Sequence, residues 1–350
     1  MFFASDNSGP ALPQVMAALA DANTGYAMSY GTDPIMTEVR ARIRDIFEAP
    51  EAAVYLVATG TAANSLALAT LCQPWQTVFC APVAHIHEDE CNAPEFFSGG
   101  AKLTLVGDSD KMTPTALRAA IETEETRGVH GPQRGPVSIT QVTERGTLYS
   151  LDELNALCAV AETHDLPVHL DGARFANALV ALDCSPADMT WKAGIHAVSF
   201  GGTKNGCLGV EAVIFFDPKH AWEFELRRKR GAHLFSKHRY LSAQMQAYLH
   251  EDLWRESARK ANTNAARLVA GLRQIAGVSF AHEPQANMVF ATMPRAMHKG
   301  LIAAGAVYHI WSGSLEGRDP SAPVTARFVC DWSLPAEEID RFLEIARNAA

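Results

Sequence analysis

Across residues 52–216 the chain alternates short apolar runs with stretches of helical periodicity, and this alternation limits the possible folds more than any other feature. "AVYLVATG", "TVFCA", "KLTLV", "PVSITQV", "PVHLD" and "AVSFGG" are short, apolar and bounded by turn residues, so they read as strands. Residues 61–71, 113–125 and 151–164 read as helices, the last with Leu151, Leu154, Leu157 and Ala161 on one face. Strands that alternate with helices predict a mostly parallel sheet covered on both faces, the architecture of an α/β protein. Helical segments over 218–276 then carry the chain away from that sheet. "VSFAH", "MVFATM" and "TARFVCDW" predict a small separate α+β unit, closed by a helix over 335–350. The expected organisation is an N-terminal arm and helix over 1–50, a large domain over 51–250 and a small C-terminal domain over 251–350.

A chain of 350 residues that is 48% hydrophobic and 20% charged can bury a core of this size. Its net charge of −9 argues against nucleic acid as a partner, since neutralising phosphates needs a basic footprint. The densest cationic run, Arg227-Arg-Lys-Arg230, falls in a predicted helix and reads as a solvated face. No apolar run reaches the length of a membrane-spanning helix. The first residues lack the basic segment and long apolar segment of a secretory signal. Seven cysteines occur singly with no CxxC pair, which suits a reducing cytoplasm and speaks against a structural metal.

On a doubly covered sheet, ligands collect beyond the carboxyl ends of the strands. In "SFGGTKNGCLG" a lysine, Lys204, sits among glycines straight after a buried strand, either as a functional amine or as part of a hairpin turn. "HLDGARFANAL" puts Asp171 at another strand end, as a turn former, a cap or a working carboxylate. "ATGTAANS" places Gly60, Thr61 and Ala62 at a strand-to-helix junction, suited to a phosphate or to simple N-capping. "APVAHIHEDECNAPEFFSG" supplies His85, His87 and Glu90 after a further strand. An amine that can form an imine, a carboxylate for a pyridine nitrogen, a helix terminus for a phosphate and an imidazole for the ring together describe a pyridoxal 5'-phosphate site. The carboxylate matters because an enclosed pyridinium would lose its proton without an opposite charge beside it.

Lys204, Asp171 and their surroundings resemble the fold-type I pyridoxal phosphate enzymes, and within them the low-specificity L-threonine aldolases. "SYGTDP", "GTAAN", "AH" with Glu90 five residues on, and "DGAR" followed by Asn177 and Ala178 carry the resemblance, which runs from "ASDN" to "ARFVCDW". It implies that Lys204 forms the imine with the cofactor, with Thr203 beside it, and that Asp171 pairs with the pyridinium. It also implies that Gly60, Thr61 and Ala62 hold the phosphate and that His85 stacks on the ring. Arg174 and Arg327 would grip the substrate carboxylate, helped by Ser5. The family's usual state, a homotetramer with active sites at dimer interfaces, makes Tyr30 and Lys237 candidates for the neighbour's site, with Lys237 reaching its phosphate.

Two positions depart from the family pattern. Many relatives have a histidine in a segment like "THNG", where this chain reads "TERG" and places Glu144. The reactive lysine, often preceded by Leu-Ser, here follows Gly-Gly-Thr. The resemblance implies retro-aldol cleavage of threonine or allo-threonine to glycine and acetaldehyde. His85, directly or through a water held by His87 or Glu144, is then the expected base. Phenylserine or α-methylserine cleavage, β-elimination, transamination on the same scaffold, or a ligand-binding protein without chemistry are the alternatives. The natural substrate and its β-carbon configuration are not encoded in these motifs.

Overall fold

The computed structural model describes residues 1–124 and 126–349; Glu125 and Ala350, the last residues of two helices expected from the sequence, lie outside the described residues. The large sheet contains β1 (Ala53–Val57), β2 (Gln76–Cys80), β3 (Lys102–Leu105), β4 (Gln133–Thr140), β5 (Val168–Gly172), β6 (Ala197–Gly201) and β7 (Glu211–Phe215), in the order β1-β7-β6-β5-β4-β2-β3. From β3 to β6 every pairing is parallel. β7 runs antiparallel to both β6 and β1, so the sheet is mixed, with the expected parallel core. The helix Gly60–Leu71 is buried nearly all round, which explains its lack of an amphipathic pattern.

A second sheet, ordered β10-β11-β9-β8, contains β8 (Ser279–Phe280), β9 (Met288–Pro294), β10 (His309–Ser312) and β11 (Pro323–Val329). The "VSFAH" run yields only the two residues of β8. β10 was not expected, because its "HIWS" is mostly exposed and carries no clean alternation. The helix Leu253–Leu272 joins the two cores: Trp254 and Ala258 pack with the large sheet, while Ala265, Leu268 and Leu272 pack with the small one. The N-terminal arm lies on the small unit. Phe2 bridges Val307, the amide of Val329 donates to the carbonyl of Phe3, and the Phe3 ring is packed edge-on against Phe328 and Phe342.

The cationic run in the helix Ala221–Arg230 is not a uniformly solvated face. Arg228 is only 1% exposed, lies over the Tyr55 ring, and donates to the Leu56 carbonyl and to Glu225. A helix packed against a sheet turns some residues inward whatever their charge, and arginine tolerates this where its donors find acceptors.

Two strand ends meet closely at the rim. A Cβ on Gly201 would lie 2.3 Å from the Ala173 carbonyl oxygen, and one on Gly172 would lie 2.8 Å from that of Ser199. Glycine at these positions lets the Asp171 and Lys204 loops approach backbone to backbone.

Candidate active site

The Lys204 loop is held on both sides. The amide of Gly202 donates to Glu211 Oε2 at 2.7 Å, and the amide of Val210 donates to Thr203 Oγ1 at 3.2 Å. Asn205 Nδ2 donates to Tyr248 Oη and to the Trp254 carbonyl, both at 2.7 Å. Burial, with help from the nearby Arg174 charge, pushes the Lys204 ammonium below its usual range, while Asp6, Asp171 and Glu211 oppose the shift. Lowering a buried lysine in this way raises the fraction present as a nucleophilic amine. Burial pushes the Glu211 carboxyl up to about 7.

Asp171 ends β5, is 2% exposed, and anchors a continuous polar chain. Its Oδ1 accepts from the amide of Ala173 at 3.0 Å and its Oδ2 from Asn64 Nδ2 at 2.8 Å. The same Asn64 nitrogen donates to Glu90 Oε1 at 2.9 Å, and His85 Nδ1 meets that oxygen at 2.8 Å. The hydrogen bond to Glu90 raises the His85 pKa against the pull of burial, while burial raises that of Glu90. A carboxylate on Nδ1 assigns the proton to that nitrogen and leaves Nε2 as the working atom.

Glu144 joins from the loop after β4, its Oε1 accepting from the amide of His85 at 2.7 Å. Its Oε2 is buried without a hydrogen-bond partner among the described residues, and burial pushes the carboxyl up to about 7. His87 is not brought into this network. It is exposed, because two residues along a helical turn from His85 it points to a different side.

The helix Gly60–Leu71 begins one residue earlier than its sequence suggests, with Thr59 as N-cap. Thr59 Oγ1 accepts from the amide of Ala62 at 3.2 Å, so that amide is spent, contrary to its expected phosphate role. The amides of Gly60 and Thr61 belong to the same open first turn, and a Cβ on Gly60 would meet nothing within 4 Å. One turn further along this helix stands Asn64, which ties the phosphate cradle to Asp171.

The two arginines differ. Arg174 is engaged bidentately by Asp6, from Nε to Oδ2 at 2.7 Å and from Nη2 to Oδ1 at 3.0 Å. Burial would raise the Asp6 carboxyl, but Arg174, Lys204 and the Asn287 amide hold it below the usual range. Asn287 also donates to the Cys330 carbonyl, which fixes the arm to the small unit. Arg174, expected from its motif to grip the substrate carboxylate, thus has its Nε and Nη2 on Asp6. Arg327, on β11, lies over Trp311 at 5.9 Å, and its buried Nε has no partner among the described residues. Burial and the Arg174 charge depress its pKa. With Arg174 matched by Asp6, Arg327 is a surplus positive charge at a half-buried position.

Ser5 is half-buried next to Asp6 and accepts from the amide of Asn7 at 3.1 Å. Tyr30 and Lys237 are exposed, and they lie near each other because the Tyr30 amide donates to the Ser236 carbonyl at 3.2 Å. Asn64, Asp6, Asn287 and Glu211 were not singled out from the sequence. Only Asn64 left a signal, a polar residue in a run of Ala and Leu that has to be buried.

The donor set fits pyridoxal phosphate: a half-buried amine, a buried carboxylate on the adjoining strand end, an open helix terminus and an oriented imidazole. The sequence model of the β-eliminating lyase family matches residues 3–295. The low-specificity L-threonine aldolase of Pseudomonas aeruginosa is 40% identical over 348 residues, 99% of this chain and 96% of its own. The chain belongs to the threonine aldolase family of β-eliminating lyases. The low-specificity L-threonine aldolase of Pseudomonas sp. (strain NCIMB 10558) is also 40% identical, over 94% of this chain and 92% of its own. Among solved structures, a threonine aldolase from Leishmania major superposes with a TM-score of 0.92 at 25% identity, covering 99% of this chain and 98% of that one. The fold is shared more widely. A serine palmitoyltransferase from Sphingomonas wittichii gives a TM-score of 0.72 at 16% identity, over all of this chain and 86% of that one. As a threonine aldolase family member the chain is a lyase, on the fold-type I scaffold expected from its motifs.

Proposed function

We propose that this lyase binds pyridoxal 5'-phosphate and cleaves L-threonine and L-allo-threonine between Cα and Cβ, giving glycine and acetaldehyde. The observation that carries the proposal is a half-buried lysine amine, depressed by desolvation, in the field of the buried Asp171 carboxylate, on loops of neighbouring strand ends. The names of the Pseudomonas relatives support the same reading.

When bound, the cofactor supplies an electron sink for the bond being broken. The chain's residues do the rest. Lys204 would hold the cofactor aldehyde, and Asp171 would keep the proton on its ring nitrogen. Gly60 and Thr61 receive the phosphate, and His85 lies on the ring. Arg327 takes the substrate α-carboxylate, with the Arg174–Asp6 pair fixing the floor beside it and Ser5 at its edge. Holding that carboxylate would fix the orientation of the substrate about Cα. His85 Nε2 accepts the β-hydroxyl proton, directly or through a water oriented by Glu144, and Glu90 carries the balancing charge at Nδ1. The enzyme is cytoplasmic, and a second copy covers the exposed surface bearing Tyr30 and Lys237 in a homotetramer.

The test is to incubate the purified holoenzyme with each threonine isomer and identify the products. Acetaldehyde and glycine are expected, with activity falling about a thousandfold or more in Lys204→Ala. A keto acid with ammonia, or undiminished acetaldehyde release from Lys204→Ala, would overturn the proposal.

A further inference from the structure

We propose that Trp311 is a positioning residue for Arg327, its indole serving as the shelf that aims the guanidinium at the substrate α-carboxylate. The inference rests on the reading of Arg327 as the carboxylate-binding cation.

An arginine that recognises a carboxylate must have its plane fixed, because the fork is useful only in one orientation. Arg174 is fixed by two hydrogen bonds to Asp6. Arg327 has no comparable partner, and its Nε is buried without a hydrogen bond among the described residues. Its guanidinium carbon instead lies 5.9 Å from the centre of the Trp311 ring, within reach of a cation–π contact.

The backbone is shaped for this contact. β10 pairs with β11 through His309↔Arg327 and Ile310↔Ala326, and then slips to Ser312↔Thr325. Trp311 is the residue left over by the slip, and bulges of this kind re-aim a side chain beside a site. Behind the indole stands Phe290, edge-on at 5.1 Å and 78°. Phe290 is 1% exposed and is the β9 partner of Arg327 in register, so both lie on the same face of the small sheet. Trp311 thus has an immobile ring on one side and the cation on another, yet remains 48% exposed. A large indole left half in water at a bulge contributes little to the core, and positioning Arg327 accounts for its size.

The experiment compares Trp311→Phe, Trp311→Tyr, Trp311→Leu and Trp311→Met with Arg327→Ala, all as holoenzymes. Steady-state constants are measured for L-threonine, and calorimetric binding for glycine and for glycinamide, which lacks the carboxylate. Trp311→Leu and Trp311→Met should raise KM and weaken glycine binding about five- to tenfold, with glycinamide binding within about twofold of the parent. Trp311→Phe and Trp311→Tyr, which keep a ring face, should stay within about threefold throughout. The inference is overturned if Trp311→Leu and Trp311→Met bind glycine normally. It is also overturned if they weaken glycine and glycinamide alike, or if kcat falls with KM unchanged. If Trp311→Leu melts early, Trp311→Met at similar volume decides. Arg327→Ala separates the two claims: if it still prefers glycine to glycinamide, the carboxylate assignment itself is wrong, whatever the Trp311 variants show.

Discussion

The two sides of the site are built on opposite principles. Along the sheet rim, Asp171, Asn64, Glu90 and His85 form a continuous hydrogen-bonded chain, with Asn64 Oδ1 and Glu90 Oε2 buried and unpartnered among the described residues. On the side facing the small unit, Arg174 is matched by Asp6 while Arg327 is left over, with only an aromatic face beneath it. A continuous chain of hydrogen-bonded side chains restrains its members together. An unmatched half-buried cation is poised for an anion that comes and goes, since each arrival relieves its missing charge. On the proposed function, the difference would separate a place for a resident cofactor from a place for an exchanging carboxylate.

The sharpest way to break this comparison is at the rim. Asp171→Asn keeps a hydrogen-bonding group but removes the buried charge that, on the proposed function, would retain the ring proton. It should lower turnover about a thousandfold with the fold intact, read by product formation and by circular dichroism. If turnover survives, the rim chain is only structural.

Asp6→Asn should come next. It leaves the Arg174 charge without its buried partner, at a cost of about 3–5 kcal/mol in unfolding free energy by denaturant titration. The pair also has a defined acid limit. The Asp6 carboxyl is depressed in the folded protein, so its contribution is present above about pH 4 and is lost as pH falls through the lower folded value. The stability difference between parent and Asp6→Asn should therefore narrow below pH 4. A difference independent of pH would deny the ion pair.

Arg327→Ala should raise KM for L-threonine about tenfold to a hundredfold while leaving cofactor retention unchanged, because it belongs to the exchanging side. Loss of cofactor in this variant would merge the two sides into one.

Glu144→Gln, whose effect at neutral pH should be the smallest, sharpens the boundary between them. The Glu144 carboxyl is pushed up to about 7, against about 4.5 when unfolded. Its favourable contribution is thus full below about pH 4.5 and gone above about pH 7, of the order of 3 kcal/mol at most. Melting profiles of Glu144→Gln should lack that slope. If ionised Glu144 orients the water at His85, the rise in kcat/KM through about pH 7 should vanish with it.

Much of the rim could be read from the sequence because its residues occupy strand ends and helix starts, where local pattern and position in the fold coincide. Asp171 follows "PVHL" and Lys204 follows "AVSFGG", and both stand where the sheet ends. Partnership was harder to read. Ala62 looked like part of the phosphate cradle, but a side chain three residues earlier takes its amide. His87 resembled a companion to His85, and the helical turn sends it outward. Arg174 looked open, although its counter-charge sits at position 6, in an arm brought to it by the small unit.

The succession of strands and helices over residues 52–216 and the parallel core follow from the sequence alone, because hydrophobic period, turn chemistry and glycine placement are local properties of a chain. Which arginine is spent and which is free, which amide remains for a phosphate, and that Asn64 joins two carboxylates were decided only by tertiary structure. Those are questions of who meets whom across long chain separations. Their energies depend on burial and on distances of a few ångströms, which no local pattern of residues encodes.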